Sequence, residues 1–230
     1  MKNISSIIYA FLIIISSAFP AYANYSNGVI AMMFGQSDYA VSEFKKAAAE
    51  GHREATYSLG YMYENEVGIA KDYDLAMMWY KKAAALGDVK SQYIIGNMYN
   101  RGRGVTVDYI EAVKWYSLAA KNGYAWAQYF YGQKLELGQG ITKNEIEAAI
   151  WYKRAAEQEH AKAQFNLAKM YYEGRGISRN YLLSYKWSLL AEAYANNDAK
   201  VLISELIQKI SQNDVKIIKE NVKNWIKTHR

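Results

Sequence analysis

The sequence of 230 residues contains no cysteine and a single proline. Without cysteine the chain cannot form a disulfide, a thiolate nucleophile, a cysteine zinc site or a lipid-modified N-terminal cysteine. Its stability must therefore come from packing. Proline interrupts helices, whereas alanine allows helices to approach and tyrosine fills the gaps between them. The scarcity of proline beside abundant alanine and 22 tyrosines therefore predicts an all-α protein.

A concentrated run of positive charge is also missing. The net charge is +6, but the lysines and arginines alternate with acidic residues along the expected helices. This pattern is typical of a solvated helical surface and not of a face that binds nucleic acid. We therefore expect no nucleic acid partner.

One long apolar run is present, near the N-terminus. Ile7–Ile15 follows the positive Lys2, and Ala21-Tyr22-Ala23 places small residues at a cleavage position before Asn24. This order predicts a cleavable secretory signal peptide over residues 1–23. An uncleaved membrane anchor is the alternative, but the run is shorter than the roughly 20 residues that span a bilayer, and Pro20 ends it. We expect a soluble mature protein in the periplasm or outside the cell.

A step of 36 residues organises the remainder of the chain. Several columns keep this step in register: Trp79, Trp115, Trp151 and Trp187; Gly60, Gly96, Gly132 and then Ala168; Gly68, Gly104, Gly140 and Gly176; Ala83, Ala119, Ala155 and Ala191. Independent columns with one spacing indicate tandem repeats.

Each repeat is predicted to be two antiparallel helices with a glycine-containing connection. In one repeat the helices are expected over residues 91–101 and 109–122, with Asp108 as the N-cap of the second helix and Gly123 at its end. The second helix carries one apolar stripe, in which Trp115 is expected to be a core residue: Ala112, Trp115, Tyr116 and Ala119. One hairpin cannot bury this stripe alone, so the repeats must stack.

The segments Leu59–Asp88, Ile95–Gly123 and Leu167–Ala193 share the pattern LG-x-x-Y-x-x-G-x-G-V followed by D-Y-x-x-A-x-x-W-Y-x-x-A-A. This pattern resembles the Sel1-like repeat, a relative of the tetratricopeptide repeat. The resemblance implies a right-handed superhelical α-solenoid of antiparallel helix pairs. We expect a shortened tetratricopeptide-like repeat over 24–54, four 36-residue Sel1-like repeats over 55–199, and C-terminal capping helices over 200–230.

Residues with catalytic potential do not form a recognisable set. His52, His160 and His229 share no ligand spacing, and we interpret them as surface residues. Some members of the family have been described as β-lactamase-like, and Ser42–Lys45 matches S-x-x-K. No S-D-N or K-T-G motif completes that site. We therefore expect no enzymatic activity, no metal and no cofactor, and a β-lactamase-like hydrolase is the weakest of the alternatives.

By analogy with tetratricopeptide repeats, the first helices line a concave groove. The inward positions are Tyr57, Tyr61, Asn65, Tyr93, Asn97, Arg101, Tyr129, Gln133, Leu137, Phe165, Lys169 and Glu173. Of these we predict nine as partner-binding residues: Tyr57, Tyr61, Tyr93, Asn97, Arg101, Tyr129, Gln133, Phe165 and Lys169. The aromatic column that begins at Tyr57 has a second interpretation, packing between repeats. The column that begins at Tyr61 varies in chemistry, which favours an exposed face.

These features together predict an exported, monomeric scaffold that binds a protein or peptide partner in its groove. By resemblance, exported members of the family act in envelope regulation, control of cell-wall enzymes, host interaction and immunity to secreted phospholipases. The alternative function is therefore an immunity or inhibitor protein that neutralises a secreted phospholipase or a cell-wall-active enzyme.

Overall fold

A computed structural model describes residues 20–194 and 196–229, and these residues form helices joined by short connections. In chain order the helices are α1 (Pro20–Met33), α2 (Ser37–Ala49), α3 (Arg53–Asn65), α4 (Tyr73–Ala85), α5 (Val89–Arg101), α6 (Tyr109–Lys121), α7 (Ala125–Leu137), α8 (Glu145–Glu157), α9 (Ala161–Glu173), α10 (Tyr181–Ala193), α11 (Ala199–Ile207) and α12 (Gln212–His229). The described ranges contain no β-strand, which confirms the predicted all-α class. Lys2 and Ile7–Ile15 of the predicted signal peptide lie outside the described residues.

The helices fall into two compact units, one that ends at Val107 and one that begins at Asp108. In the first unit α1 packs on α2, α3 on α4, and α4 on α5. In the second unit α7 packs on α8, α9 on α10, and α11 and α12 both pack on α10. Successive hairpins stack within each unit, so the fold is an all-α repeat solenoid.

Side-chain caps define where the second helix of each repeat begins. A side-chain oxygen accepts a hydrogen bond from a first-turn backbone N–H at the four positions that the sequence predicted: Asp72, Asp108, Asn144 and Asn180. Such a bond satisfies one of the donors that a helix N-terminus leaves unpaired. The caps fix the helix starts and hence the register of each hairpin.

In two hairpins, α3–α4 and α7–α8, a tyrosine of the second helix fills the centre. Tyr80 and Tyr152 have no exposed surface. Opposite these rings the first helix carries glycine. A Cβ atom at Gly60 would lie 2.7 Å from the Tyr80 ring, and one at Gly132 would lie 3.1 Å from the Tyr152 ring. The two helices can therefore approach only because one side contributes no side chain.

The last 36-residue repeat has different residues at both positions of this glycine–tyrosine contact. Ala168 stands where the other repeats have glycine, and the fully buried Ser188 stands where they have tyrosine. Tyr185, one turn earlier on the same helix, is also fully buried. The hydroxyl of Ser184 donates a hydrogen bond of 2.8 Å to the carbonyl oxygen of Ala168. The methyl group is accommodated because the large ring has moved along the helix.

The first hairpin repeats this contact with a shorter connection. Residues 34–36 join α1 to α2, whereas residues 66–72 join α3 to α4. A Cβ atom at Gly28 would lie 2.5 Å from the ring of Phe44. Helix α1 begins at Pro20, so the predicted cleavage site at Ala21-Tyr22-Ala23 lies in its first turn.

Two of the connections also bind the preceding repeat. Glu136 of α7 accepts hydrogen bonds from the Tyr152 hydroxyl at 2.6 Å and from the Arg175 guanidinium at 2.7 Å. Glu64 of α3 is bound in the same way by Tyr80 at 2.8 Å and by Arg103 at 3.2 Å. Each arginine comes from the connection of the following repeat. These partly exposed ion pairs contribute up to about 1 kcal/mol each.

Glycine occupies the same position of each of these connections for a steric reason: Gly104 after Arg103, Gly140 after Gln139 and Gly176 after Arg175. Gly176 has a φ of 65°, and a Cβ atom there would clash with the carbonyl oxygen of Glu145. Gly140 has a φ of 74° and would clash in the same way with Tyr109. Only glycine combines the left-handed conformation with so close an approach, which explains this column of the repeat.

Helices α11 and α12 close the second unit. Leu202, Leu206, Val215 and Val222 are buried, and the Ser211 hydroxyl accepts a hydrogen bond of 3.0 Å from the N–H of Asp214 at the start of α12. Among the described helices, none is both long enough and apolar enough to cross a membrane.

Replacing Gly60 by alanine tests the contact with Tyr80. Alanine favours a helix by about 1 kcal/mol, but overpacking costs about 1–3 kcal/mol, so we expect a lower midpoint of urea denaturation. Gly132→Ala is the matched control and should lose less, because the added methyl group meets the ring at a longer distance. A midpoint for Gly60→Ala equal to or above that of the parent protein would contradict this account.

Tyr116 and Trp115 are neighbours that differ in burial, and the prediction that Trp115 is a core position needs correction. Trp115 is only half-buried, whereas Tyr116 is fully buried and stacks on Phe130 of α7 with ring centroids 5.4 Å apart. Truncation of Tyr116 to alanine should therefore cost about 3–5 kcal/mol of unfolding free energy, and Trp115→Ala should cost less. Chemical denaturation of the two variants measures the difference, and the reverse order would show that the tryptophan carries the packing.

Candidate functional site

In the first unit, the tyrosines of α3 form part of the predicted binding surface. Tyr57 is half-buried and stacks on Tyr61 with ring centroids 6.5 Å apart. It also meets the core ring of Tyr80 at 5.9 Å. Tyr61 is exposed. Tyr57 thus lies between the hairpin core and the surface, and the ring of Tyr61 is accessible to a partner.

Three predicted residues follow one face of α5 at intervals of four. The Tyr93 hydroxyl and the Asn97 side chain share a hydrogen bond, and Arg101 lies close enough to influence the phenol. Burial raises the pKa of Tyr93. Tyr93 and Asn97 are half-buried and Arg101 is exposed. This face therefore presents a phenol, an amide and a guanidinium side by side.

In the second unit the predicted residues differ in accessibility. Phe165, Gln133 and Lys169 are half-buried, and the Lys169 ammonium lies 6.0 Å from the centre of the Phe165 ring. Tyr129 is buried. Packing within the unit therefore accounts for most of the Tyr129 surface, whereas Phe165 keeps an accessible face. The remaining inward positions, Asn65, Leu137 and Glu173, are exposed.

A cavity of about 860 Å³ lies within the second unit. Its walls come from the first turns of α7 and α9 and from residues 194 and 196–198 before α11. Four aromatic side chains line it: Trp126, Tyr129, Phe165 and Tyr194. Four amide side chains also line it: Gln158, Asn166, Asn196 and Asn197. Two predicted residues, Tyr129 and Phe165, are thus brought together here.

His160 organises the wall of this cavity. Its Nδ1 atom accepts a hydrogen bond of 3.2 Å from the N–H of Ala163 and so caps α9. The ring of Tyr129 stacks on the imidazole at 4.7 Å, and Trp126 meets it nearly perpendicularly at 4.5 Å. Since Nδ1 is an acceptor, the neutral ring carries its proton on Nε2. This buried Nε2 has no hydrogen-bond partner among the described residues.

Burial determines the protonation state of His160. The side chain is only 7% exposed. Desolvation, assisted by the nearby charge of Lys162, lowers the pKa of His160 to about 4. The imidazole is therefore neutral at neutral pH, which the cap requires.

The first unit contains a second cluster of the same design. His52 caps α3 through Nδ1, with Tyr25 stacked on it at 4.4 Å and Tyr22 perpendicular to it at 4.8 Å. A cavity of about 530 Å³ lies beside it. The interpretation of His52 and His160 as surface residues was therefore wrong, because capping and aromatic stacking bury both rings. The side chain of His229 lies outside the described residues.

A strained residue stands at the rim of the larger cavity. Glu159 has a φ of 65°, in the left-handed region, where the corresponding residues of earlier repeats are Gly51, Gly87 and Gly123. A side chain in this conformation costs about 1 kcal/mol or more. This strained conformation places the Glu159 carboxylate at the rim of the cavity.

The residues of the S-x-x-K match lie on α2. Ser42 and Lys45 are exposed on α2, and Phe44 between them is a core residue. Within residues 20–194 and 196–229, no group of three or more potential metal-ligating side chains comes together.

The sequence contained one unused signal for the cavity. Trp126 lies outside the 36-residue tryptophan step, and its column otherwise holds Glu54, Lys90 and Lys162. A tryptophan at a position where the other repeats carry a charged residue has no role in the repeat itself. The sequence gives no such signal for Asn196 and Asn197, because they follow the last repeat and have no equivalent residues in the other repeats.

Comparison with known protein families identifies the family to which these repeats belong. The family described as Sel1 repeat matches residues 53–88, 89–124, 127–160 and 161–193, which is more than half of the chain. The chain belongs to the Sel1 repeat family. The resemblance inferred from the repeat columns is thereby confirmed, and no curated protein matches this Sel1 repeat chain significantly.

Two solved structures are similar over most of the chain. A protective antigen of uropathogenic Escherichia coli with an SLR fold, c5321, is 29% identical with a TM-score of 0.80, over 94% of this chain and 48% of the antigen. A Sel1 repeat protein from Oxalobacter formigenes is 28% identical with a TM-score of 0.74, over 79% of this chain and 74% of that protein. This Sel1 repeat chain therefore spans about half the length of the antigen.

The His160 cap should make stability depend on pH. The unfolded histidine titrates near 6.5 and the folded one at about 4, so the unfolded state binds more protons between these values. The stabilisation is complete above pH 6.5 and is lost as the pH falls towards 4, by an amount on the order of 1–3 kcal/mol. Urea denaturation at pH 7.5 and 5.0 measures this loss.

His160→Asp is the matched variant, because Asp88 caps the equivalent helix α5. It should retain the cap and show a smaller loss of stability between the two pH values. If the variant and the parent protein lose stability equally, His160 is not the group that titrates.

Proposed function

We propose that this Sel1 repeat protein is an exported, non-catalytic scaffold that binds a partner protein on the exposed face of its first helices. The proposal rests on a contrast in side-chain exposure between the buried core and this face. Tyr80, Tyr116 and Tyr152 are fully buried, whereas the first helices keep rings, amides and charged groups accessible beside them.

The residue types on this face are suited to recognition. Aromatic side chains and arginine contribute most of the binding energy in protein interfaces, and amides adapt to a partner's main chain. On α5 the three types adjoin as Tyr93, Asn97 and Arg101. The hydrogen bond between Tyr93 and Asn97 holds the ring in place before a partner arrives, which lowers the entropy lost on binding.

The proposed export depends on the pattern of residues 1–23. A positive Lys2, an apolar run and Ala21-Tyr22-Ala23 form a secretion signal. The described helices are consistent with this proposal, because none of them can cross a membrane.

Variants of α5 test the binding surface. With the chain lacking the signal peptide as bait, Tyr93→Ala and Arg101→Glu should each reduce the recovered partner at least tenfold, with little change in melting temperature. Ile146→Ala is the control, because Ile146 is 67% exposed on α8, a second helix. If Tyr93→Ala lowers the melting temperature as much as Tyr116→Ala does, the ring serves packing and not binding.

The identity of the captured partner then separates two roles. A lipase or cell-wall hydrolase whose activity falls at a 1:1 ratio would identify an inhibitor or immunity protein. A receptor or regulatory protein would identify an adaptor.

A further inference from the structure

We propose that the cavity of the second unit binds an extended peptide segment that carries no acidic side chain and whose aromatic side chain packs against Trp126 and Phe165. The inference rests on the proposed function only in taking the partner to be a protein. It adds the place, the conformation and the chemistry of the segment.

The aromatic preference follows from how Trp126 is held. The indole is 47% exposed although it contacts the imidazole of His160 at 4.5 Å. His160 is itself held from behind by Tyr129 and by its hydrogen bond to α9. The exposed ring is therefore supported by a rigid stack, which is the property of an interface anchor. Phe165 supplies a second accessible ring in the same cavity.

The charges at the rim disfavour acidic side chains in the occupant. Glu159, Lys162 and Asp198 all line the cavity, so the rim carries two carboxylates and one ammonium group. An acidic side chain would meet both carboxylates. Electrostatics therefore favour a segment without acidic side chains.

The polar groups match a peptide main chain. The N–H groups of Ala161 and Lys162 precede the N–H that His160 caps, so they remain as donors at the start of α9. Asn197 is exposed at the rim, and its side chain makes no hydrogen bond with the described residues. An amide both donates and accepts, as the alternating C=O and N–H groups of an extended peptide require.

Other rim amides are already occupied, which limits the alternatives. Gln158 donates to Gln128 at 2.8 Å, and Asn196 accepts from the N–H of Asp198 at 3.1 Å. Two of the four amide side chains at the cavity are therefore already engaged within the protein. A glycan, with hydroxyl groups on every side, would leave many of them unpaired, whereas a peptide segment would leave few.

The test uses capped peptides and the chain lacking the signal peptide. The probes are N-acetylated, C-amidated Gly-Ser-Phe-Ser-Gly, the same peptide with serine in place of phenylalanine, and chitotetraose. The measurement is the NMR shift of the Trp126 indole N–H, which Trp126→Phe assigns. The phenylalanine peptide should give a saturable shift whose midpoint changes less than twofold between 50 and 500 mM NaCl, and the other probes should give none.

Two variants examine the cavity, and one serves as the control. Phe165→Ala should weaken binding of the phenylalanine peptide at least tenfold, and Asn197→Ala several-fold. Ile146→Ala should leave it unchanged. The exposed Asn197 keeps the test valid if Phe165→Ala lowers the melting temperature. Absence of a saturable shift, an equal shift with the serine peptide, a shift with chitotetraose alone, or a tenfold salt dependence would each overturn the proposal.

Failure of this inference is separable from failure of the proposed function. If partner capture is lost in Tyr93→Ala but unchanged in Phe165→Ala and Asn197→Ala, the scaffold function holds and the cavity has no part in it. If no variant on a first helix changes capture, the scaffold function itself fails.

Discussion

The contact between a second-helix tyrosine and a first-helix glycine sets the distance between the helices of a hairpin. At Gly60 and Tyr80 no space remains for a methyl group. Because interiors are packed as densely as organic crystals, the ring also fixes how each helix is rotated about its axis. That rotation determines which side chains of the first helix remain accessible. The exposure of Tyr61 on α3 is thus a consequence of the buried Tyr80 on α4.

The buried histidines show how the same framework produces local differences. All first helices need a cap, and Asp88 meets that need with a charged oxygen. At His52 and His160 an imidazole does so, and because the imidazole is a flat ring it can also support stacked aromatic side chains. One substitution at a cap therefore creates a place where an aromatic group can be held at the surface. The cavity beside Trp126 arises at such a place.

The repeat architecture could be predicted from the sequence because its determinants are local and periodic. Glycine, aspartate caps and the apolar stripe recur every 36 residues, and each acts on its own helix. The relative burial of Trp115 and Tyr116 could not be predicted, because it depends on tertiary contacts such as the stacking of Tyr116 on Phe130. The capping role of His160 could not be predicted either, because it depends on the exact residue at which α9 begins. The cavity was also missed, because the segment around Asn196 belongs to no repeat and the column of Trp126 otherwise holds charged residues.

The ion pairs between an arginine of one repeat and a glutamate of the preceding repeat have a consequence for chimeras of two such proteins. Glu136 belongs to one sequence repeat and Arg175 to the next, so a chimera joined between residues 160 and 161 draws the two charges from different parents. The close approach of Gly176 to Glu145 is divided in the same way. A seam placed after Gly176 keeps both contacts within one parent. The natural module for exchange therefore begins inside the connection and not at the first residue of a helix.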